Sequence, residues 1–197
     1  MLKAEYRDID KSKIVIDDRE LSARLGRLCS HTDTDILPIV NAVIKEAEPK
    51  YAVRSCPISI DGAEVTLGFG KVKSKALAKC LSGCSYAYVF ALTLGIKIDR
   101  MISKLFKICG AEALTYDAVA SALAESMCDV AQAEICGDEI ASSRFSVGYG
   151  DFSLNYQSDV LDYLGAPTYL GITLTDSHLM VPFKTITAIV GVKTSPV

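Results

Sequence analysis

Tryptophan is absent from this chain, and histidine occurs only at His31 and His178. So little imidazole leaves small scope for a histidine-built metal centre, because neither residue has a second ligand at zinc spacing. An excess of positive charge is also lacking. Lys and Arg total 21 against 24 Asp and Glu, for a net charge of −3. No helix carries a basic stripe, so nucleic acid binding has no electrostatic support. Long hydrophobic runs are missing too. The longest strongly apolar stretch, 86–96, falls far short of the ~20 residues a membrane span needs, and the opening MLKAEYRDID has no apolar secretory core. No repeat, low-complexity tract or Pro/Ser-rich linker divides the sequence. These absences predict one domain over 1–197 with no membrane and no nucleic acid partner.

What is present is apolar side chain and thiol. Half of the residues are hydrophobic and 23% are charged, enough for a sizeable core. The seven cysteines are an odd number without framework spacing. They lie mostly in apolar segments, which predicts reduced thiols in a cytoplasm. Cys80 and Cys84, four apart, are expected on one helix face. That spacing suits a redox pair or two metal ligands, but the absence of further ligands favours plain buried thiols.

The periodicity predicts an α+β architecture. Thr32 and Asp35 have capping-box spacing ahead of a helix with Ile36, Val40, Val43, Ile44 and Ala47 on one face, stopped at Pro49. Alternation of Ile58 and Ile60, then Val65, Leu67 and Phe69, about Asp61-Gly62 predicts a hairpin. A short helix in KSKALAKCLSGC ends at Gly83, and SYAYVFALTLG reads as a buried strand. Gly95 turns the chain into a helix with Ile98, Met101, Ile102, Leu105 and Phe106 on one face. The Ala/Ser-rich stretch 111–135, with Val119, Leu123, Met127 and Val130 as its stripe, reads as a long central helix. QSDVLDYLG predicts another short helix. A strand is expected in TYLGITLT, through Leu170, Ile172 and Leu174, and another in KTITAIVGV, through Ile186, Ala188, Val190 and Val192. Hairpins and long connections in place of a regular βα repeat argue against a Rossmann sheet.

Four groups of residues invite chemistry. GFGKVKS (68–74), between a strand and a helix, could cradle a phosphate, but it matches neither a Walker motif nor a dinucleotide fingerprint and reads as a turn. His178 near Asp176 lacks a nucleophile pattern. Glu125 and Asp129 are one helical turn apart. Asp129 reads as part of a solvated face, whereas Glu125, in the most apolar part of its helix, is expected to meet a cation. The strongest group is RFSVGYG. Arg144 can grip a carboxylate through two parallel bonds. Gly148 and Gly150 permit close backbone approach, and Tyr149 offers a flat face and a hydroxyl. The residues leave two readings open: a site for a zwitterionic or nucleoside ligand, or a glycine turn with its arginine salt-bridged to the fold.

Over about 50 residues the sequence resembles the activation domain of cobalamin-dependent methionine synthase. Arg144, Gly148 and Tyr149 match its arginine and Gly-Tyr turn. Gly171, Ile172, Leu174, Thr175 and Ser177 match a following strand. Met180, Pro182, Thr185, Ile186, Thr187 and Gly191 match its last strand. The strongest likeness spans 144–192, and YVFALTLG and YDAVASALAESMCD resemble the family more loosely. The resemblance implies a twisted antiparallel sheet with flanking helices and a long central helix. It also implies S-adenosylmethionine bound by Arg144, Val147, Gly148, Tyr149 and Glu125. By the same likeness, the chain would be a methyltransferase-associated module. It would support reductive remethylation of cob(II)alamin (a vitamin B12 form) in methionine biosynthesis. The cobalamin would be carried by a corrinoid-binding partner, with electrons from a flavodoxin-like donor. The sequence departs from the family in having no match for its early ligand-binding aspartate or for its later tyrosine-containing segment. Those departures motivate an alternative, a non-catalytic corrinoid-protein binding or assembly partner that has lost S-adenosylmethionine.

Overall fold

The computed structural model describes residues 3–13, 16, 18–26 and 36–193. The capping box at Thr32 and Asp35, and also Cys29 and His31, lie outside the described residues. Strand β1 is Glu5–Asp8, followed by helices α1 (Asp18–Leu25) and α2 (Leu37–Glu46). Strands β2 (Lys50–Pro57), β3 (Ser59–Asp61), β4 (Glu64–Leu67) and β5 (Gly70–Lys73) precede α3 (Lys75–Cys80) and β6 (Tyr86–Thr93). Helices α4 (Ile96–Phe106) and α5 (Gly110–Cys136) follow, then β7 (Ile140–Ala141), α6 (Gln157–Leu164) and α7 (Ala166–Leu170). Strands β8 (Thr173–Leu174), β9 (Met180–Val181) and β10 (Thr185–Lys193) complete the described chain.

Five strands make one antiparallel sheet in the order β1-β2-β6-β10-β7. Both faces of this sheet are covered, which explains why the interior strands read as continuous apolar runs. Successive side chains on a strand point to opposite faces. Tyr51, Val53, Phe90, Leu92, Ala188 and Val190 therefore join the core under α1, α2, α4 and α5. Ala52, Val89, Ala91 and Ile189 join a second core under α3, α6 and α7. The 27-residue α5 lies across the first face and buries Val119, Leu123 and Met127 completely. Its many alanines let α1, α2 and α4 pack near it, and Gly137 ends it at φ 52°, a left-handed conformation that glycine adopts cheaply.

Local structure departs from the sequence expectations at several points. The Asp61-Gly62 hairpin gains a third strand: Gly68 and Phe69 form a two-residue turn, and 70–73 pair with β4 instead of forming a loop. TYLGITLT is not one strand. Pro167 sits in the first turn of α7, where its missing N–H costs nothing, and Gly171 at φ 66° ends that helix before two strand residues. Phe106 does not join the buried face of α4. It is half exposed, because the helix ends there and the chain turns away into α5.

Candidate functional site

Arg144 is positioned by strand parity. After β7, residues 142–145 run on beside β10: the Ser142 amide donates to the Gly191 carbonyl, and Phe145 and Ile189 exchange both backbone bonds. Phe145 therefore points into the core under α3 and α6, and Arg144 points the other way, toward α5. Its guanidinium lies 2.7 Å from an Asp129 carboxylate oxygen and 3.5 Å from one of Glu125. Nη1 also donates to the Gln132 side-chain oxygen at 3.2 Å. Burial works against the charge, but the hydrogen bond to Asp129 and the surrounding negative groups outweigh it and hold the guanidinium above its ordinary pKa. Glu125 additionally faces Arg24 at 3.9 Å. On the same helix Cys128 is fully buried, and burial pushes its thiol up to about 12.

The following turn is closed from within. Gly148 donates its amide to Phe152, Phe152 to Tyr149, and Tyr149 to Ser146. Gly148 at φ 90° and Gly150 at φ 55° hold left-handed conformations, and a Cβ on either would press on Leu154 or Ala76. Asp151 fastens the turn to the start of α3. Its carboxylate accepts from the Ser74 hydroxyl at 2.5 Å and from the amides of Lys75 and Ala76. These bonds hold the Asp151 carboxyl below its usual pKa. The result is an exposed Tyr149 ring set edge-on to Phe145.

Together these elements border a cavity of about 390 Å3 lined by Glu125, Gln132, Ser143, Arg144, Ser146, Tyr149 and Ile186. It thus offers one guanidinium, one carboxylate, one side-chain amide, two serines, a phenol and an apolar wall. Such a donor set suits a ligand carrying both charges.

Three of the expected site residues, Arg144, Tyr149 and Glu125, line this cavity, and Gly148 does not: it lies in the turn beside Tyr149, facing Leu154. Val147 does not present its side chain. It is buried in the core under α3 and α6, leaving only its backbone for contact. Asp129 lies on the solvated face expected for it, 71% exposed, and its carboxylate also makes the shorter of the two carboxylate contacts to Arg144. Asp129 and Gln132 were both missed. Glu125, Asp129 and Gln132 recur at i, i+4 and i+7, the spacing of one helix face, and that polar stripe was the available signal.

No family model matches the sequence, and no curated protein matches it. A search of solved structures finds the MetH reactivation domain bound to AdoHcy, at a TM-score of 0.70 and 14% identity, covering 100% of this chain and 80% of that one. The fold is that of a reactivation domain. At that identity the likeness establishes the architecture, including the antiparallel sheet and the long central helix.

Within that fold the other motif residues have structural duties. Thr175 and Ser177 build the turn between β8 and β9, with His178 at φ 61° inside it. Thr185 and Thr187 are buried and bonded to Thr93 and Gln157. The Cys80/Cys84 expectation needs correction: α3 ends at Cys80, so the two thiols do not share a helix face. Cys80 donates to the Ser143 carbonyl at 3.5 Å, and Cys84 packs on Gly191, where a Cβ would lie 2.6 Å from its sulfur. Among the described residues no three His, Cys, Asp or Glu side chains gather as a metal site, and no helix is long and apolar enough to cross a membrane.

Proposed function

We propose that this chain binds S-adenosylmethionine in the Arg144 cavity and supports reductive remethylation of cob(II)alamin carried by a partner corrinoid protein. In that reaction the partner's cobalt would take one electron from a flavodoxin-like protein and the methyl group from S-adenosylmethionine, leaving S-adenosylhomocysteine. The observation that carries the reading is the pairing of an arginine with a carboxylate on the rim of one cavity, in a fold shared with a domain bound to AdoHcy.

The residues divide the work by charge. Arg144 takes the ligand carboxylate, exchanging its bond to Asp129 for a bidentate one. Glu125 takes the ammonium, and Asp129, whose side chain is 71% exposed, is released to solvent. Tyr149 offers its ring to the nucleoside, and the Val147–Tyr149 backbone sets how near the ligand can come. Bound S-adenosylmethionine supplies an electrophilic methyl group. The chain's own contribution is orientation, which can account for a large part of a barrier.

One observation favours a second reading, a binding or assembly partner for corrinoid proteins without a methyl donor: Arg144 is already satisfied by three internal partners. Calorimetric titration of S-adenosylmethionine into the wild type and Arg144→Ala separates the two. Saturable binding weakened about tenfold or more in the variant, some 1.4 kcal/mol, supports the first. No binding at millimolar ligand, with corrinoid-protein capture unchanged by Arg144→Ala, supports the second.

A further inference from the structure

A second cavity, of about 420 Å3, shares no lining residue with the Arg144 site. It lies at the other edge of the sheet, where β1 and β2 meet α6 and α7, and Tyr6, Arg54, Tyr163 and Tyr169 line it. Arg54 is held in place. Its guanidinium stacks over the Tyr163 ring at 4.2 Å and donates to the Tyr163 carbonyl at 3.0 Å. Tyr163 is fixed in turn: its hydroxyl donates to the Ser55 carbonyl, and Gly68 makes room for it, since a Cβ there would lie 2.3 Å from that oxygen. Tyr6 donates its hydroxyl to the Leu164 carbonyl and stacks on Tyr169 with ring centroids 3.9 Å apart.

Two features point to a ligand. Arg54 has five N–H donors, yet among the described residues it makes no ion pair with a carboxylate and only the one hydrogen bond. The tyrosine hydroxyls of Tyr6 and Tyr163 are already spent on backbone carbonyls, so what these rings offer is their flat faces. Gly165, at φ 63°, lets the Tyr6 and Tyr169 side chains pack closely against the backbone, because a Cβ would lie 2.9 Å from the Tyr6 hydroxyl and 3.3 Å from the Tyr169 ring. Charged groups on the wall are Lys3 and Arg54 against Asp162, a local excess of one positive charge.

We propose that this cavity is a second ligand site, for a planar aromatic anion of the size of a nucleoside monophosphate. The ring stacks on the Tyr6–Tyr169 side, and the anionic group meets Arg54 and Lys3. A cationic peptide is disfavoured by the same two side chains. Stacking and charge-assisted hydrogen bonds are each strong enough to register in a titration.

The test is calorimetric titration of AMP into the full chain at low salt, with adenosine and inorganic phosphate as comparison ligands. Expected is saturable AMP binding, with each comparison ligand about tenfold weaker or more. Arg54→Gln and, separately, Tyr169→Ala should each weaken AMP by about fivefold or more, at unchanged circular dichroism, while Arg144→Ala leaves it unaltered. Tyr169 is well exposed, so its removal does not threaten folding. No AMP binding at millimolar concentration overturns the proposal. So does AMP binding that Arg144→Ala abolishes and Arg54→Gln leaves intact, which would assign the nucleotide to the first cavity.

Discussion

Asp129 stands 2.7 Å from the guanidinium of Arg144 and accepts one of the N–H groups that the proposed ligand carboxylate would use. The protein thus contains its own competitor for the proposed site. Asp129→Asn removes that competitor while keeping the helix and the side-chain volume. Because the Asp129 side chain is largely exposed, the pair contributes only about 0.2–1 kcal/mol. S-adenosylmethionine should therefore bind up to about fivefold more tightly to the variant. Equal or weaker binding by calorimetry would show that the aspartate is not in competition.

Asp151→Asn should destabilise the protein by loosening the turn from α3, read as a lower melting temperature. The sign with pH is set by the lowered carboxyl pKa in the folded state. Stability from this group is complete above the unfolded value of about 3.9 and is lost as pH falls through the folded value. The gap between wild type and variant should hold steady from neutral pH to about 5 and close in more acidic buffer. A gap independent of pH would mean that the carboxylate's charge has no part in the attachment.

Gly148→Ala meets two separable penalties. Its φ of 90° is costly for any residue with a side chain, and the new methyl carbon would sit 3.0 Å from the Leu154 side chain. The backbone part costs about 1–3 kcal/mol. Adding Leu154→Ala relieves the contact but not the dihedral, so chemical denaturation of the double variant should recover none of the backbone part. Recovery to the stability of Leu154→Ala alone would show that crowding was the whole effect.

Thiol reactivity should follow burial. Cys109 is exposed, whereas Cys56 and Cys128 are buried and burial raises both thiols. At pH 8, iodoacetamide should modify Cys109 in the native protein and leave Cys56 and Cys128 intact until denaturant is added, as peptide mass spectrometry would show. Native-state labelling of Cys128 would mean that α5 opens locally.

Much of the architecture was legible because it rests on local periodicity. The α5 stripe, the Asp61-Gly62 turn and the alternation in β10 each follow from residues close in sequence. The errors arise where two local signals compete. In 168–175 the alternation of Leu170, Ile172 and Leu174 suggested a strand, but Pro167 at a helix start and Gly171 at its end decided the first half. At the site, Arg144 and Glu125 were visible singly, and their 3.5 Å approach needed the tertiary fold. The Arg54–Tyr163 pair was invisible for the same reason: 109 positions separate its members, and neither belongs to a motif.

The segment 142–145 has one more consequence. Because it runs beside β10 with side chains alternating between two cores, the location of the guanidinium is a matter of odd and even. Lengthening or shortening the link from β7 by a single residue would send an aromatic ring toward α5 and bury a cation under α6. Changes of two residues would keep the assignment. The length of this short connection is thus under a parity constraint, and homologous chains that keep the cavity should differ here only in even steps.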